Sequence, residues 1–319
     1  MKVFVAGATG AIGARLVPML VAAGHDVVAT SRSPEKAARL AALGAEPVVV
    51  DALDRDAVIA AVTTAAPDVV VHELTALAGI TNLRDFDRAF AQTNLLRTRG
   101  VDNLLEAART AGARRFVAQS YAGWPTAREG GLVKTEDDPL DTDPARTMRK
   151  SLAAIRHVEQ TVPAARDLEG LVLRYGPFYR PGTPLAEGGE FVELVRKRRF
   201  PIVGNGAGVW SYIHVDDAAA ATVAAIERGA PGVYNVVDDE PAAVSAWLPY
   251  LARVLGAKPP RRLPVWLGRL VAGEAVVLMM TEARGASNAK AKRELDWVPR
   301  YPTYRDGFRE GLGGDGAAR

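Results

Sequence analysis

Three glycines near the amino terminus, each three residues from the next, constrain the fold of this chain more than any other feature. They follow an apolar strand pattern at residues 3–6 and open an apolar helical pattern. In that context Gly7 permits a tight turn, Gly10 lets the backbone approach a pyrophosphate, and Gly13 lets helix and strand pack closely. Free N–H groups at the helix start favour an anion, so the loop predicts a nicotinamide dinucleotide site. The loop residues predicted to bind it are Gly7, Thr9, Gly10, Ala11, Ile12 and Gly13.

Short β-branched runs alternate with Ala- and Leu-rich runs along the first half of the chain. This alternation predicts an α/β fold with a Rossmann-type doubly wound parallel sheet. The pattern changes after residue 174, which predicts a smaller, discontinuous C-terminal lobe, assigned here to the substrate. The predicted strands are residues 3–6, 27–30, 47–50, 69–72, 116–119, 171–174 and 233–237, and the predicted helices include 34–43, 54–64 and 88–111. Residues 1–181 and 204–238 are assigned to the NAD(P)-binding domain, 182–203 and 239–310 to the substrate lobe, and 311–319 to a flexible tail.

The residues at the ends of the second and third predicted strands indicate whether the dinucleotide is NAD or NADP. An acid at the tip of the second strand would bind the ribose 2′-hydroxyl of NAD, whereas an arginine accommodates the 2′-phosphate of NADP. The tip here carries Ser31 and Arg32, so we expect NADP rather than NAD. Asp51, followed by Ala52 at the end of the third strand, is placed to accept a hydrogen bond from the adenine amino group.

Several segments together resemble the extended or atypical branch of the short-chain dehydrogenase/reductase superfamily, the epimerase/dehydratase-like proteins. They are residues 7–13, 51–54, 72–77, 94, 115–120, 173–182, 212–218 and 295–299. The resemblance implies a Rossmann domain, a smaller carboxy-terminal substrate lobe, and a nicotinamide at the carboxyl edge of the sheet. The further residues that it implies beside the cofactor are Leu74, Thr75, Ala76, Asn94, Pro177 and Phe178.

The catalytic motif of that superfamily, Tyr-x-x-x-Lys, is absent, because no tyrosine in the chain is followed at that spacing by a lysine. In the superfamily the tyrosine gives or takes the carbonyl proton, and the lysine lowers the pKa of the phenol. Aligning on Lys150 places an arginine where the tyrosine belongs. Aligning on Glu159 places Ser151 and Ile155 at the two positions, so neither register restores the pair.

Two hydroxyls at the end of the fifth predicted strand are the remaining catalytic candidates. The resemblance implies a catalytic Ser or Thr one residue after Ser120, which is where Tyr121 stands. We expect the phenol of Tyr121 to donate the proton, with Ser120 as its hydrogen-bonding partner and Lys150 as the candidate lysine. The alternative is that Tyr121 packs its ring beneath the second lobe.

Aromatic residues are concentrated in the loops predicted at the carboxyl edge of the sheet, and they favour an apolar or aromatic small-molecule substrate. Those assigned to the substrate are Trp124, Tyr175, Tyr179 and Trp210. The alternative is that these rings only build the interface between the lobes.

Composition and charge argue against other classes of partner. The formal net charge is +3, without a concentrated basic stripe, so we expect no nucleic acid ligand. The chain has no cysteine and its four histidines are dispersed, so no metal site is predicted. The apolar stretch 271–280 is too short to span a bilayer and is predicted as a buried helix, so we expect no membrane contact. The absence of cysteine agrees with a reducing cytosol, and we expect a cytoplasmic protein. The resemblance allows a homodimer through the helices at 88–111 and 149–161.

These features favour an atypical NADP-dependent oxidoreductase that reduces a carbonyl or double bond in an apolar or aromatic small molecule. Two alternatives stay open. One is an epimerase, dehydratase or lyase that retains its dinucleotide, and the other is a non-catalytic dinucleotide sensor that kept the fold and lost the Tyr–Lys pair.

Overall fold

A central parallel sheet joined by helices forms the fold that the alternating sequence pattern predicts. The structure is a computed structural model that describes residues 1–77, 79–80, 82–180 and 182–312. Its strands are β1 (Lys2–Ala6), β2 (Asp26–Ser31), β3 (Glu46–Val49), β4 (Val69–His72), β5 (Arg115–Tyr121), β6 (Val133–Lys134), β7 (Glu169–Tyr175), β8 (Phe178–Tyr179), β9 (Ile202–Val203), β10 (Val209–Trp210), β11 (Ile213–His214), β12 (Gly232–Val236), β13 (Ala242–Ala243), β14 (Arg262–Leu263) and β15 (Gly285–Ala286). Its α-helices are α1 (Gly13–Ala22), α2 (Pro34–Ala42), α3 (Arg55–Ala65), α4 (Phe86–Ala89), α5 (Ala91–Leu95), α6 (Val101–Thr110), α7 (Arg149–Thr161), α8 (Glu190–Arg196), α9 (Val215–Glu227), α10 (Val244–Val254), α11 (Val265–Ala272), α12 (Glu274–Thr281), α13 (Ala289–Leu295) and α14 (Tyr304–Leu312).

The seven-stranded sheet has the order β12-β7-β5-β4-β1-β2-β3, and every neighbouring pair is parallel. Its strands are nearly continuous apolar runs because helices cover both faces, and every residue of β4 is buried. The strand order reverses between β1 and β4. In such sheets ligands bind in the crevice outside the carboxyl ends of the strands at the reversal. This topology therefore brings the glycine loop after β1 next to the segment that follows β4.

Two apolar layers enclose the sheet. Helices α1 and α9 pack on one face, against side chains such as Val71 and Leu173. Helices α3, α6 and α7 pack on the other face, where Phe4 and Phe116 are fully buried. Successive side chains of a strand point to opposite faces, so the last residues of β5 and β7 alternate between α7 and the opposite layer.

The helix predicted over residues 88–111 is interrupted in the structure. Helices α4 and α5 are separated at Phe90, and a π-helical segment, Leu96–Gly100, joins α5 to α6. Thr98 Oγ1 donates to the carbonyl oxygen of Asn94 at 2.9 Å, and such side-chain bonds compete with the regular helical ladder. Apolar spacing alone does not reveal this competition. Arg97, within the π-helical segment, points into the interior and is 4% exposed.

A second apolar core lies outside the sheet, in the carboxy-terminal part of the chain. Helices α8, α10, α12 and α14 surround its fully buried rings, which are Tyr179, Tyr212, Trp247, Tyr304 and Phe308. The short pairs β8–β11, β9–β14 and β10–β13 connect its segments, and β6 pairs with β15. Of the tail predicted over 311–319, residues 311 and 312 belong to α14, and residues 313–319 lie outside the described residues.

The stretch 271–280 is not the single buried helix that its composition predicts. Helices α11 and α12 meet at Gly273, whose φ is +91°, and a Cβ at this position would lie 2.8 Å from Arg84 Cα. The outer face of α11 is open to solvent, where Trp266, Leu270 and Val271 are 68%, 62% and 58% exposed. None of the helices that the structure describes is both long and apolar enough to cross a membrane.

Candidate active site

The glycine loop after β1 has the geometry of an anion cradle. Gly7 has a φ of +99°, and a Cβ there would lie 2.6 Å from the carbonyl carbon of Glu73. A Cβ at Gly13 would lie 2.3 Å from the carbonyl oxygen of Gly7, so both positions require glycine. Among the described residues, the backbone N–H groups of Ala11 and Ile12 have no acceptor at the start of α1. Free donors at a helix start suit a pyrophosphate, and the loop therefore fits a dinucleotide.

The tips of β2 and β3 lie beside this loop and carry the residues predicted for the adenosine end. Ser31 is buried, whereas Arg32 is exposed and has no hydrogen bond or ion pair within the described part of the chain. Asp51 is exposed, and the carbonyl oxygen of Ala52 accepts a bond from Asn103 Nδ2 at 2.9 Å. The guanidinium of Arg32 is therefore unpaired within the described residues, and the Asp51 segment is held in place by α6.

The segment after β4 is fixed by His72. Its Nε2 donates to the carbonyl oxygen of Leu96 at 3.0 Å, and its Nδ1 accepts from the backbone N–H of Leu74 at 3.2 Å. Burial lowers the pKa of His72 to about 4, so the ring is neutral near pH 7. The carbonyl oxygen of Leu74 accepts a long bond, 3.4 Å, from Gln119 Nε2. His72 is thus a structural anchor of the predicted cofactor loop.

The rest of that loop is anchored by α5. The backbone N–H of Ala76 donates to Thr93 Oγ1 at 3.0 Å, and Thr93 is fully buried. Thr75, between these anchored residues, is exposed. The loop therefore presents Thr75 to the crevice edge while its neighbours are held against the protein.

Tyr175, predicted to contact substrate, is instead part of the interior. Its hydroxyl forms hydrogen bonds with Glu73 Oε1 at 2.8 Å and Thr222 Oγ1 at 2.7 Å, and the residue is 2% exposed. Burial raises the pKa of Glu73 to about 8, so this carboxyl is protonated at neutral pH. The tyrosine ring completes the apolar layer beneath the sheet edge, because the last residue of β7 points to the α9 side.

The segment after β7 forms a fixed wall at the carboxyl edge. The carbonyl oxygen of Pro177 accepts from the backbone N–H of Ile213 at 3.2 Å, and the half-buried ring of Phe178 lies 5.6 Å from that of Tyr175. A Cβ at Gly176 would lie 2.0 Å from the carbonyl oxygen of Ser211, so two backbones meet here. This wall is where the resemblance implies closure over the nicotinamide.

The start of α7 carries the residues that the two sequence registers compare. Ser151 is fully buried, its Oγ donates to Asp87 Oδ1 at 2.8 Å, and Asn94 Nδ2 donates to that Oγ at 3.0 Å. Ile155 is also fully buried, whereas Lys150 is exposed and only its backbone N–H contacts Asp87, at 2.9 Å. The side chain of Lys150 therefore lies on the outer side of α7, and the structure does not bring it together with Ser120 and Tyr121.

Ser120 and Tyr121 point to different sides of β5, as neighbours on a strand do. Ser120 is 2% exposed and its Oγ donates to Glu159 Oε1 at 2.8 Å, so it faces α7 and is not the expected partner of Tyr121. Tyr121 is half-buried, and its ring centroid lies 6.5 Å from that of Trp124. Burial raises the pKa of the Tyr121 phenol, while the charge of Arg97 lowers it. The phenol therefore keeps its proton at neutral pH and can donate a hydrogen bond.

An apolar group beside Tyr121, here called the Trp124 cluster, gathers side chains from distant parts of the chain. Its members include Phe86, Phe90, Trp124, Met148, Leu278 and Met279. The Phe86 and Trp124 rings meet edge to face at 5.2 Å. Sequence reasoning identified Trp124 and missed the others, because no local pattern connects α4, the start of α7 and α12.

Tyr179 and Trp210 do not join Trp124. Tyr179 is fully buried in the carboxy-terminal core, where its ring lies 5.3 Å from Phe308. Trp210 is half-buried, and its Nε1 donates to the carbonyl oxygen of Met279 at 2.8 Å. These two rings belong to the core of the second lobe, as in the alternative interpretation of the aromatic residues, and the structure does not bring them together with Trp124.

Most of the chain matches a known protein family. A family model described as the NAD dependent epimerase/dehydratase family matches residues 3–236. The chain belongs to this family. A 3-diazoavenalumate denitrifying reductase from Streptomyces sp is 48% identical over 309 residues, which cover 97% of this chain and 99% of that protein. A 4-hydroxy-2-methyl-3-oxo-4-farnesyl-3,4-dihydroquinoline-1-oxide ketoreductase from Stigmatella aurantiaca is 30% identical over 81% of this chain and 74% of its own length.

A solved structure shares the fold of this family member along its whole length. UDP-glucose 4-epimerase from Thermotoga maritima, determined with UDP-glucose, superposes with a TM-score of 0.74 and 23% identity, over 98% of this chain and 97% of that chain. The fold is therefore the one predicted from the sequence. The reductases among the relatives make this chain an oxidoreductase.

Three charged residues at the edge of the sheet were not among the site residues predicted from the sequence. Asp87 accepts the first N–H groups of α7, Glu159 pairs with Arg174 beneath Ser120, and Arg97 is buried next to Tyr121. The available signal was weak, because each lies on a helix where charged residues are common. Which helical positions face inward depends on how each helix packs on the neighbouring strands, and the sequence alone does not show this packing.

Proposed function

We propose that the protein is an NADPH-dependent reductase that removes the diazo group of an aromatic compound as dinitrogen. The observation that carries the proposal is the end-to-end likeness to the Streptomyces reductase, whose name gives it a diazo substrate. When bound, the reduced nicotinamide would supply a hydride, so that Ar–N₂⁺ becomes Ar–H and N₂ and the dinucleotide is left oxidised. That balance needs no further oxidant or reductant.

The residues on α7 support this chemistry over ordinary carbonyl reduction. Carbonyl reduction creates an alkoxide, which a Tyr–Lys pair protonates. Replacing a diazo group by hydrogen creates no alkoxide, so a site for this reaction does not require the pair. Ser151 is held between Asp87 and Asn94, and Ile155 is apolar, so neither replaces the proton donor and its cation.

The dinucleotide would lie along the carboxyl edge of the sheet. The free N–H groups of the glycine loop would receive its pyrophosphate, Arg32 the 2′-phosphate and Asp51 the adenine amino group. In this proposal residues 1–181 and 204–238 bind the dinucleotide, and residues 182–203 and 239–310 form the substrate lobe. Tyr121 and the Trp124 cluster would contact the aromatic body of the substrate, since they combine apolar surface with one hydrogen-bond donor.

The direct test supplies the purified protein with NADPH and diazotised 3-amino-4-hydroxybenzoate. We expect loss of nicotinamide absorbance, release of dinitrogen in equal amount, and 4-hydroxybenzoate as product: the hydride adds to the terminal nitrogen, and the resulting Ar–N=N–H loses N₂ while a proton is delivered to the ring carbon. Turnover of ketones but not of the diazo compound would overturn the proposal in favour of carbonyl reduction. NADPH binding without turnover of either class would instead favour the dinucleotide sensor.

Arg32 carries the proposed preference for NADPH. Its replacement by alanine should weaken NADPH binding about tenfold to hundredfold and leave NADH binding unchanged, because a charged pair with the 2′-phosphate contributes about 1.5–3 kcal/mol. Quenching of protein fluorescence by each dinucleotide measures both dissociation constants. Arg39, which is exposed on α2, provides the control, and Arg39→Ala should bind both dinucleotides as the wild type does. Equal weakening of NADPH and NADH by Arg32→Ala would contradict the assignment.

Carbonyl reduction with Tyr121 as donor is a second candidate, and the observation that favours it is the place of this phenol at the end of β5 beside the Trp124 cluster. The raised pKa of Tyr121 argues against it, because a phenol that holds its proton more tightly is a weaker acid towards an alkoxide. Tyr121→Phe separates the two candidates. It should abolish turnover in a carbonyl reductase, which needs the phenol as its proton donor, and only slow hydride transfer to a diazo group.

A further inference from the structure

Arg97 is a buried arginine in an unusual piece of helix. It lies on the π-helical segment Leu96–Gly100 and is 4% exposed. Its Nη2 donates to Gln119 Oε1 at 3.1 Å, and its Nε is buried without a partner among the described residues. Single π-helical turns are rare and often occur at functional sites, and a buried charge is costly unless something offsets it. The position of Arg97 therefore calls for a functional explanation.

The carboxylate whose charge raises the pKa of Arg97 is already bound to other residues. Glu159 raises the pKa of Arg97 through its charge, but its Oε1 accepts from Ser120 and from Arg174, and its Oε2 accepts from Arg174 at 2.6 Å. The other titratable groups that face Arg97 are Tyr121 and His72, which are both neutral near pH 7. Burial lowers the pKa of Arg97 to about 10, so it stays protonated. Among the residues that the structure describes, Arg97 therefore forms no ion pair with a carboxylate, and Glu159 is paired with Arg174 instead.

Gln119 and Tyr121 connect this charge to the crevice. They are two residues apart on β5, so their side chains leave the same side of the strand. Gln119 is bound to Arg97 at one end and reaches the carbonyl oxygen of Leu74, in the predicted cofactor loop, at the other. Tyr121 stands beside the Trp124 cluster. The charge of Arg97 therefore lies near the place where substrate and nicotinamide would meet.

We infer that Arg97 supplies the positive charge that is missing where Ile155 occupies the lysine position of the family motif. It acts as a positioning residue: through Tyr121 and Gln119 it holds a negatively charged oxygen of the substrate. This inference rests on the proposed function for the identity of that oxygen. In an aryl diazo compound with a hydroxyl group in conjugation, electrons shift between oxygen and nitrogen. Holding negative charge on the oxygen increases the diazonium character of the nitrogen, which makes its terminal atom a better hydride acceptor. The substrate class is therefore an aryl diazo compound with an ionisable oxygen ortho or para to the diazo group.

The inference is tested with a dye that needs no turnover. The protein is saturated with NADP⁺ and titrated with 4-nitrophenol, whose neutral and ionised forms differ in colour. The wild type is compared with Arg97→Met, Arg97→Lys and Arg99→Met, because Arg99 lies on the same π-helical segment but is exposed. We expect Arg97→Met to raise the pKa of the bound dye by about one unit or more, the effect of losing a nearby opposite charge. Arg97→Lys and Arg99→Met should leave the pKa of the dye close to that in the wild type.

Two results would overturn the inference. The first is an unchanged pKa of the bound dye in Arg97→Met together with a lowered Tm, which would assign Arg97 a purely structural role. The second is failure of the wild type to bind 4-nitrophenol as its anion. If Arg97→Met does not fold, Arg97→Gln is titrated in its place, since its amide can keep the bond to Gln119 without the charge.

Kinetics then connect Arg97 to the proposed reaction. With diazotised 3-amino-4-hydroxybenzoate, Arg97→Met should lower kcat about hundredfold with little change in the KM for NADPH, a loss typical of removing one electrostatic contact. With diazotised 3-aminobenzoate, which lacks the conjugated hydroxyl group, wild type and Arg97→Met should have similar rates. A wild type that reduces neither compound would overturn the proposed function alone, because the dye titration involves no hydride transfer.

Discussion

Replacing Glu159 with alanine should lower the free energy of unfolding by about 3–5 kcal/mol, because the change leaves a buried arginine without its carboxylate. Glu159 accepts from Arg174 Nε and Nη2 at 2.8 and 2.6 Å, and from Ser120 Oγ at 2.8 Å. The Glu159 and Arg174 side chains are 6% and 5% exposed, so water does not replace the lost partner. Urea unfolding followed by circular dichroism measures the change.

An exposed ion pair on the same side of the sheet is the matched control. Arg109 Nε lies 3.0 Å from Asp167 Oδ1, and the two side chains are 44% and 58% exposed. Asp167→Ala should therefore cost less than about 1 kcal/mol. Replacing both members of the buried pair, with E159L and R174M together, should recover much of the loss, because an apolar pair needs no charge compensation. Equal losses in Glu159→Ala and Asp167→Ala would contradict the contribution of the buried pair.

Gly10→Val should abolish measurable NADPH binding in a protein that still folds. A Cβ at Gly10 would lie 3.3 Å from the carbonyl oxygen of Gly7, which is tight but does not overlap the backbone. We expect the added side chain to keep a pyrophosphate away from the free N–H groups of Ala11 and Ile12. Loss of these contacts should raise the Kd at least about hundredfold, or roughly 3 kcal/mol. NADPH fluorescence measures the Kd, and thermal unfolding measures the Tm.

Gly24→Ala is the control variant, because it introduces backbone strain without blocking the ligand. The φ of Gly24 is +78° and nothing lies within 4 Å of a Cβ built there, so Gly24→Ala strains a loop that is remote from the crevice. This variant should have a slightly lower Tm and an unchanged Kd for NADPH. Binding of NADPH to Gly10→Val with the affinity of the wild type would show that the glycine loop is not the pyrophosphate site.

The parallel sheet could be predicted because each strand carries its own local signal. The strand predicted at 69–72 coincides with β4, and the other six strand predictions end within two residues of the observed ends. A buried parallel strand is a short apolar run bounded by polar residues, and this pattern does not depend on distant partners. The glycine loop was identified for the same reason, since its strand, turn and helix start are contiguous.

The catalytic edge could be predicted only in part, because side-chain pairing across the fold has no local signal. Lys150 and Ser151 are adjacent in sequence, yet one is exposed and the other is fully buried against Asp87. Arg97 has the spacing of an ordinary polar residue on a helix, and its partner Gln119 lies 22 residues further along the chain. A π-helical turn changes which side of the helix faces inward. Regular spacing therefore predicted the helix and polar groups directed towards the sheet edge, but neither the π-helical turn nor the burial of Arg97 against Gln119.

The pairing of β6 with β15 has a consequence for how the molecule is made. Residues Val133–Lys134 pair in parallel with Gly285–Ala286, and the backbone of residue 285 also bonds to Leu132. Strands β1 to β5 are already synthesised when β6 is made, whereas β15, the partner of β6, follows about 150 residues later in the chain. The loop that leads from Tyr121 and Trp124 towards α7 therefore lacks its anchor until β15 has been synthesised. A nascent chain can form its glycine loop early, but this second loop is held in place only after β15 has emerged from the ribosome.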